Sequence, residues 1–242
     1  MQWIKTALRE VSSTDLPVLI QGQPGTGRRL AARTIHFLGQ RQSCPFVEVN
    51  CSALPPPEAG QHLFGGSGNG DPGAPLAAEA ALAVAAGGTL FLEDVDALPL
   101  EVQERLAEFL RQQRDVQLDE AGPGAADVRF IGATHAPLER MARAGSFSSE
   151  LYYRLSVATV RLPPLGHHKQ DIPWLAQYFV RHCAALMGRT APALGDEALA
   201  VLLRQDWPGN TWQLKRLLEQ AVVLAGEGEI TAPQLERLLR PG

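Results

Sequence analysis

The six residues Gly22-Gln23-Pro24-Gly25-Thr26-Gly27 constrain this chain most. They follow an apolar run, Val18–Ile20, and lead into a helical pattern over Leu30–Leu38. Glycines at that spacing let the backbone turn off a strand and present its N–H groups at the start of the next helix, where anions are favoured. Further on, the apolar run Thr89-Leu90-Phe91-Leu92 ends in two acids, Glu93-Asp94. A glycine loop after one strand and acids at the end of another is the layout of a P-loop nucleotide site. This loop closes on Arg28-Arg29, however, where the pattern G-x-x-x-x-G-K-[ST] has a lysine and a hydroxyl. The frame for a nucleoside triphosphate is present, and the groups that would act on it are altered.

The surrounding pattern extends that frame. Candidate strands at Val18–Ile20, Phe46–Val49, Leu90–Leu92, Val128–Ala133 and Ala158–Leu162 alternate with helical stretches such as Leu30–Leu38 and Val102–Gln112. Such alternation predicts an α/β fold, a parallel sheet covered by helices on both faces. Strand signals stop after Leu162-Pro163-Pro164-Leu165, and helical patterns follow over Ile172–Met187, Asp196–Arg204, Trp212–Ala225 and Pro233–Leu239. The prolines and the change of class predict a boundary between residues 1–165 and 166–242. Between Gly65 and Gly73, five glycines in nine residues read as a flexible surface connector.

Composition narrows the function classes. A net charge of −4 supplies no global basic field for nucleic acid. Three cysteines, Cys44, Cys51 and Cys183, form no C-x-x-C pair and read as buried or idle thiols in a reducing cytosol rather than a disulfide framework. No apolar run approaches the ~20 residues of a membrane helix, so no membrane partner is expected. The chain opens on an amphipathic helix with Trp3, Ile4, Leu8 and Val11 on one face, which reads as a piece cut from a longer protein.

Taken in order, the motifs resemble the AAA+ domain of bacterial enhancer-binding proteins, the NtrC-like activators of sigma-54 RNA polymerase. The resemblance runs through Pro17-Val18-Leu19-Ile20, the glycine loop, Pro45-Phe46-Val47-Glu48-Val49-Asn50-Cys51, Leu63-Phe64-Gly65 and Gly87-Gly88-Thr89-Leu90-Phe91-Leu92. It continues through Ala133-Thr134-His135, Leu151-Tyr152-Tyr153-Arg154-Leu155, Leu162-Pro163-Pro164-Leu165 and Trp207-Pro208-Gly209-Asn210. It implies a P-loop αβα sandwich with a five-stranded parallel sheet, followed by a small helical lid.

The resemblance also assigns roles, with departures. Gly22, Gln23, Pro24, Gly25, Thr26, Gly27, Arg28, Arg29 and Leu30 fall on the nucleotide-binding stretch. Arg28 takes the lysine position, and a planar guanidinium is not equivalent there to a compact ammonium. Arg29 replaces a glutamate and adds a second cation beside the loop. Aspartate then glutamate, which support Mg and orient the attacking water, appear in reverse order as Glu93 and Asp94. Each carboxylate is thus one methylene from its expected reach, and a displacement of ~1 Å can cost ~100-fold in rate. Asn50 matches the asparagine that restrains the catalytic glutamate, and Thr134-His135 matches the sensor; both also read as hydrogen-bonded core residues. Of two arginines that complete a neighbouring subunit's site, Ser148 replaces the first, while Arg154 retains the second or is an ordinary helix ion pair. Trp212 stands at the lid arginine, where an indole packs against the lid or covers an adenine face. Asn69-Gly70-Asp71-Pro72-Gly73-Ala74 occupies the position of the loop that grips the sigma factor, with Asp71 and Pro72 in place of its aromatic and threonine.

These departures fall on chemical and output residues, whereas the retained motifs shape the fold. The resemblance therefore implies a degenerate AAA+ module of a cytoplasmic transcription regulator. It would bind ATP/ADP with Mg weakly, work as a homo-oligomer from dimer to hexameric ring, and reach DNA through a helix-turn-helix beyond Gly242. Contact with RNA polymerase would not use the usual sigma-54 loop. The alternative is an active ATP-hydrolysing ring. A third reading has Arg28 and Arg29, as spare cations, holding another phosphorylated ligand such as a signalling nucleotide.

Overall fold

A computed structural model describes residues 2–66, 79–119, 127–226 and 228–240. Most of the glycine-rich connector and all of Asn69–Ala74, including Asp71 and Pro72, lie outside the described residues. The described chain divides into two units. One comprises residues 2–22 and 28–162, and the other comprises 163–240 together with the loop 23–27.

The first unit opens with α1 (Gln2–Ser12), β1 (Val18–Gly22), α2 (Arg28–Phe37) and β2 (Phe46–Asn50). It continues through α3 (Pro56–Phe64), α4 (Ala81–Val84), β3 (Thr89–Glu93), α5 (Leu100–Asp119) and β4 (Arg129–Thr134). It closes with α6 (Leu138–Arg143), α7 (Ser149–Leu155) and β5 (Ala158–Leu162). The five strands form one sheet in the order β2-β3-β4-β1-β5, and every neighbouring pair is parallel. All five expected strands are present: β1, β2 and β3 extend one or two residues past the apolar run, β4 is displaced by one residue to Arg129–Thr134, and β5 has the expected bounds.

Helices cover both faces because alternate strand residues are apolar on both sides. Leu19, Leu90, Leu92 and Phe130 pack with Leu63, Leu106 and Leu151 from α3, α5 and α7. Val18, Ile20, Phe91 and Ile131 pack on the other face with Ile4 and Leu8 of α1 and Ile35 of α2. Burying each such side chain contributes roughly 1.5–3 kcal/mol. Helix α5 begins two residues before the expected Val102 and ends well past Gln112. Its C-terminal half lacks an apolar stripe, but Arg111 pairs with Glu108 at 2.6 Å and with Asp115 at 3.1 Å along the exposed face. Pairs at that spacing support a helix that hydrophobic periodicity does not announce.

The second unit contains α8 (Ile172–Leu186), β6 (Ala193–Leu194), α9 (Asp196–Arg204), α10 (Asn210–Ala225), β7 (Glu229–Ile230) and α11 (Ala232–Leu239). Its own core gathers Ile172, Leu202, Leu214, Leu218 and Leu235 around Trp207, which is 1% exposed. The Trp207 indole donates to the carbonyl of Leu202 at 2.9 Å, so its one polar atom is satisfied. Strand signals do not stop altogether after Leu162. Residues Ala193–Leu194 and Glu229–Ile230 form a short parallel pair, too brief to carry a periodicity.

Candidate functional site

Strand register aligns the chemistry at one edge of the sheet. Asn50 lies opposite Glu93, Glu93 opposite Ala133, and Gln21 opposite Thr134. Parallel strands end together, so the residues following β2, β3 and β4 converge at their carboxyl ends, where open α/β sheets bind ligands.

Arg28, the first residue of α2, is 6% exposed and reaches into this edge. Its Nη1 donates to the carbonyl of Gly22 at 2.9 Å, and its Nη2 donates to Asp94 Oδ1 at 2.7 Å. Glu93 Oε1 lies 3.9 Å from the same Nη2. The guanidinium thus closes an ion pair with the two acids. Asp94 has a φ of 52°, in the left-handed region, which aspartate tolerates better than most residues. His135 Nδ1 stands 3.5 Å from Asp94 Oδ1. One ligand atom each from Asp94, Asp96 and His135 lies within 4.8 Å of the others.

Several expected partners are placed differently. Asn50 does not bond either acid. Its Oδ1 accepts from the Ser52 backbone N–H at 3.1 Å and caps the short turn Cys51–Ala53. Ser52 stands between, its Oγ lying 2.8 Å from Asn50 Oδ1 and 3.4 Å from Asp94 Oδ2. The Thr134 hydroxyl donates to Asp96 Oδ1 and accepts from the Ala136 N–H at 2.9 Å, so it is a satisfied buried group. Arg29 and Arg28 are not spare cations. Arg29 is bound to Glu48, which also takes Arg33 at 2.6 Å, and Arg28 is held by Asp94. Leu30 is 71% exposed. Ser148 is the N-cap of α7, its hydroxyl accepting from the Leu151 N–H at 3.3 Å. Arg154 pairs with Glu150 one turn earlier at 2.7 Å.

Charges on this edge shape neighbouring groups. Burial, with the charges of Asp94 and Asp96, pushes the Cys51 thiol up to about 12. Burial alone would raise the Glu48 carboxyl, but hydrogen bonds from Arg33 and Arg29 outweigh it and hold Glu48 below its ordinary range.

The glycine loop is built within the second unit. Gly25 and Gly27 have φ of +79° and +92°, a backbone that side-chain-bearing residues rarely adopt. A Cβ on Gly25 would fall 2.6 Å from the carbonyl of Gly209, whereas one on Gly27 would meet nothing within 4 Å. Thr26 closes the turn, its N–H and hydroxyl both donating to the Gln23 carbonyl, at 3.1 and 2.7 Å. Asn210 fixes the loop. Fully buried with φ of 51°, it donates from Nδ2 to the Pro24 carbonyl at 2.8 Å and accepts the Leu165 N–H at 2.8 Å. Thr211 adds a 2.6 Å bond from its hydroxyl to the Gly25 carbonyl. Trp212 is 63% exposed, so it does not pack into the lid, and its Cγ would lie 3.4 Å from a Cβ on Gly25. Neither Asn210 nor Thr211 carries a sequence motif that marks it as an anchor of the loop. Their only signal was position, directly after Trp207-Pro208-Gly209.

A parallel five-stranded α/β sheet whose first strand runs into a glycine loop and helix, followed by a helical lid, defines a P-loop AAA+ domain. The sigma-54 interaction domain matches residues 1–161 and the AAA+ ATPase lid domain matches residues 167–242, and the chain belongs to this family of NtrC-like proteins. It is 37% identical over 224 residues to the DNA-binding transcriptional regulator NtrC of Azospirillum brasilense, covering 93% of this chain and 46% of that protein. It is 36% identical over 241 residues to the nitrogen assimilation regulatory protein NtrX of Azorhizobium caulinodans, covering 97% and 52%. The crystal structure of NtrX from Brucella abortus in complex with ADP superposes with a TM-score of 0.82 at 31% identity, covering 96% of this chain and 52% of that one. Its complex with ATP gives 0.79 at 30% identity, covering 100% and 56%. The chain thus spans about half the length of these relatives. Among the described residues, no helix is long and apolar enough to cross a membrane.

Proposed function

We propose that this chain is the AAA+ module of a bacterial transcription regulator that holds nucleotide weakly and hydrolyses it slowly or not at all. It acts through subunit contacts, from a dimer to a ring, with DNA bound by a helix-turn-helix elsewhere in a longer cytoplasmic protein. RNA polymerase would be reached by a surface other than the usual sigma-54 loop. Residues 1–165 form the nucleotide-binding part of the module and 166–242 its lid.

The observation carrying this reading is the 2.7 Å pair between Arg28 and Asp94. The residues fit the phosphate half of a nucleotide. The first N–H groups of α2 have no partner within the helix and favour an anion. They do not fit the metal half. The carboxylate that should serve Mg or water is occupied by the Arg28 guanidinium, and Glu93 stands beside the same cation. No hydrolytic step is therefore routed through a metal here. Ser148 and Trp212 add no positive charge where the family resemblance has arginines, which removes further stabilisation of a developing negative charge.

Isothermal titration with ATP and Mg, run beside a phosphate-release assay, tests the reading. Weak binding without turnover is expected, and brisk turnover overturns it. The relative solved with ATP favours a second reading, a working ATPase with tolerated substitutions. That reading requires nucleotide-dependent assembly of hexamers and loss of turnover in Arg154→Ala.

A further inference from the structure

A cavity of about 690 Å³ lies in the first unit, at the end of the sheet away from the acids. It sits where Leu16-Pro17 enter β1, Val128 precedes β4 and Val157 precedes β5, with α5 and α7 as its walls. That size is within the roughly 300–1,000 Å³ of small-molecule sites. Its lining is mostly apolar, from Leu16, Leu110, Val128, Phe130 and Val157. Leu16, Tyr153 and Val157 remain 48%, 73% and 50% exposed at the rim, an apolar patch left open among the described residues.

The charges around the cavity are unequal in their freedom. Arg41 is saturated, bound to Asp15 at 3.0 Å, to Asp127 at 2.8 Å and to the carbonyls of Gly88 and Asp127. Arg154 is held by Glu150 at 2.7 Å. Arg114 has no ion pair or hydrogen bond among the described residues, so the wall carries one cation with no anion of its own. Beside it, buried Gln113 spends its Nε2 on the Val128 carbonyl at 2.9 Å, while its Oε1 has no partner. Turning that amide over would lose the existing bond, and the oxygen is sealed from solvent, so Gln113 closes this end of the cavity rather than offering it an acceptor.

We propose that this cavity binds a small organic anion with an apolar body, its charge on Arg114. The apolar walls take the body, and the unpaired guanidinium selects the charge. This inference does not rest on the nucleotide reading, because no residue of the phosphate loop or of the Glu93-Asp94 edge lines the cavity.

The probe is 8-anilinonaphthalene-1-sulfonate, which combines an apolar body and a sulfonate. It is titrated by fluorescence against the whole chain and compared with neutral N-phenyl-1-naphthylamine, which lacks the sulfonate. One saturable site is expected, with the neutral dye about tenfold weaker, the usual effect of one hydrogen bond to a charged group. Arg114→Ala should weaken the sulfonate about tenfold and leave the neutral dye unchanged, and Val157→Trp, which fills the mouth, should weaken both. Both substitutions are at exposed positions, and unchanged melting temperatures confirm folding. Equal affinity for the two dyes, or sulfonate binding unaffected by either substitution, overturns the proposal. Unaffected dye binding with a fall in oligomeric mass for Val157→Trp would assign the face to a second copy of the chain instead.

Discussion

Asp94→Asn should destabilise the folded protein while tightening its grip on ATP. Arg28 has a side chain 5% exposed and Asp94 one 20% exposed, with 2.7 Å between them. Stripping one partner from a buried pair costs about 3–5 kcal/mol, because the other charge is left uncompensated. Here the loss is smaller. The amide retains an acceptor, the Gly22 carbonyl still takes Nη1 at 2.9 Å, and Glu93 remains 3.9 Å away. About 2 kcal/mol is therefore expected, or about 4–8 °C in melting temperature for a chain of this length. Affinity should move the other way, because Asp94 competes with phosphate for the guanidinium. A carboxylate repels a phosphate that shares its guanidinium by about 3 kcal/mol at an effective dielectric of about 20. Partial exposure of Asp94 roughly halves that, which leaves about a tenfold gain. Differential scanning fluorimetry and calorimetric titration of ATP, with and without Mg, read the two effects. Weaker ATP binding confined to the Mg titration would refute the reasoning, since it would show Asp94 serving a metal rather than occupying Arg28.

Three other outcomes follow from the same geometry. Asn210→Ala removes the Pro24 and Leu165 bonds at a fully buried, left-handed position, and should cost about 2–4 kcal/mol, seen as a lower melting temperature with loss of ATP binding. Because Arg33 and Arg29 hold Glu48 below its ordinary value of 4.5, their stabilisation is complete above that value and lost as pH falls through the depressed one. Arg29 and Arg33 are 59% and 49% exposed, so the effect is about 1 kcal/mol, and melting curves from pH 7 to 3 should fall less steeply for Glu48→Gln than for the parent. Iodoacetamide should modify exposed Cys44 in the native protein and spare Cys51, whose thiol burial pushes up to about 12; mass spectrometry of labelled peptides reads this directly.

The fold was legible because its determinants are local and repeated. Each strand of the five-stranded sheet announces itself as a short apolar run, and Gly25 and Gly27 declare a backbone that other residues resist. What escaped were interactions between residues far apart in sequence. Arg28 and Asp94 are 66 positions apart, and Asn210 and Pro24 are 186 apart. Read singly, Arg28 and Arg29 are surplus positive charge beside an anion loop. Once folded, one is neutralised by the end of β3 and the other by Glu48 on β2. The reversal of Glu93 and Asp94 was visible as a change in reach, but its consequence depends on the neighbour it meets. A lysine at position 28 would present a compact ammonium on a flexible stem, able to leave a carboxylate for a phosphate. The guanidinium instead forks between the Gly22 carbonyl and Asp94, bonded to both at once. The two substitutions therefore act as one: an arginine that can span to the acid, and an acid placed where the arginine spans.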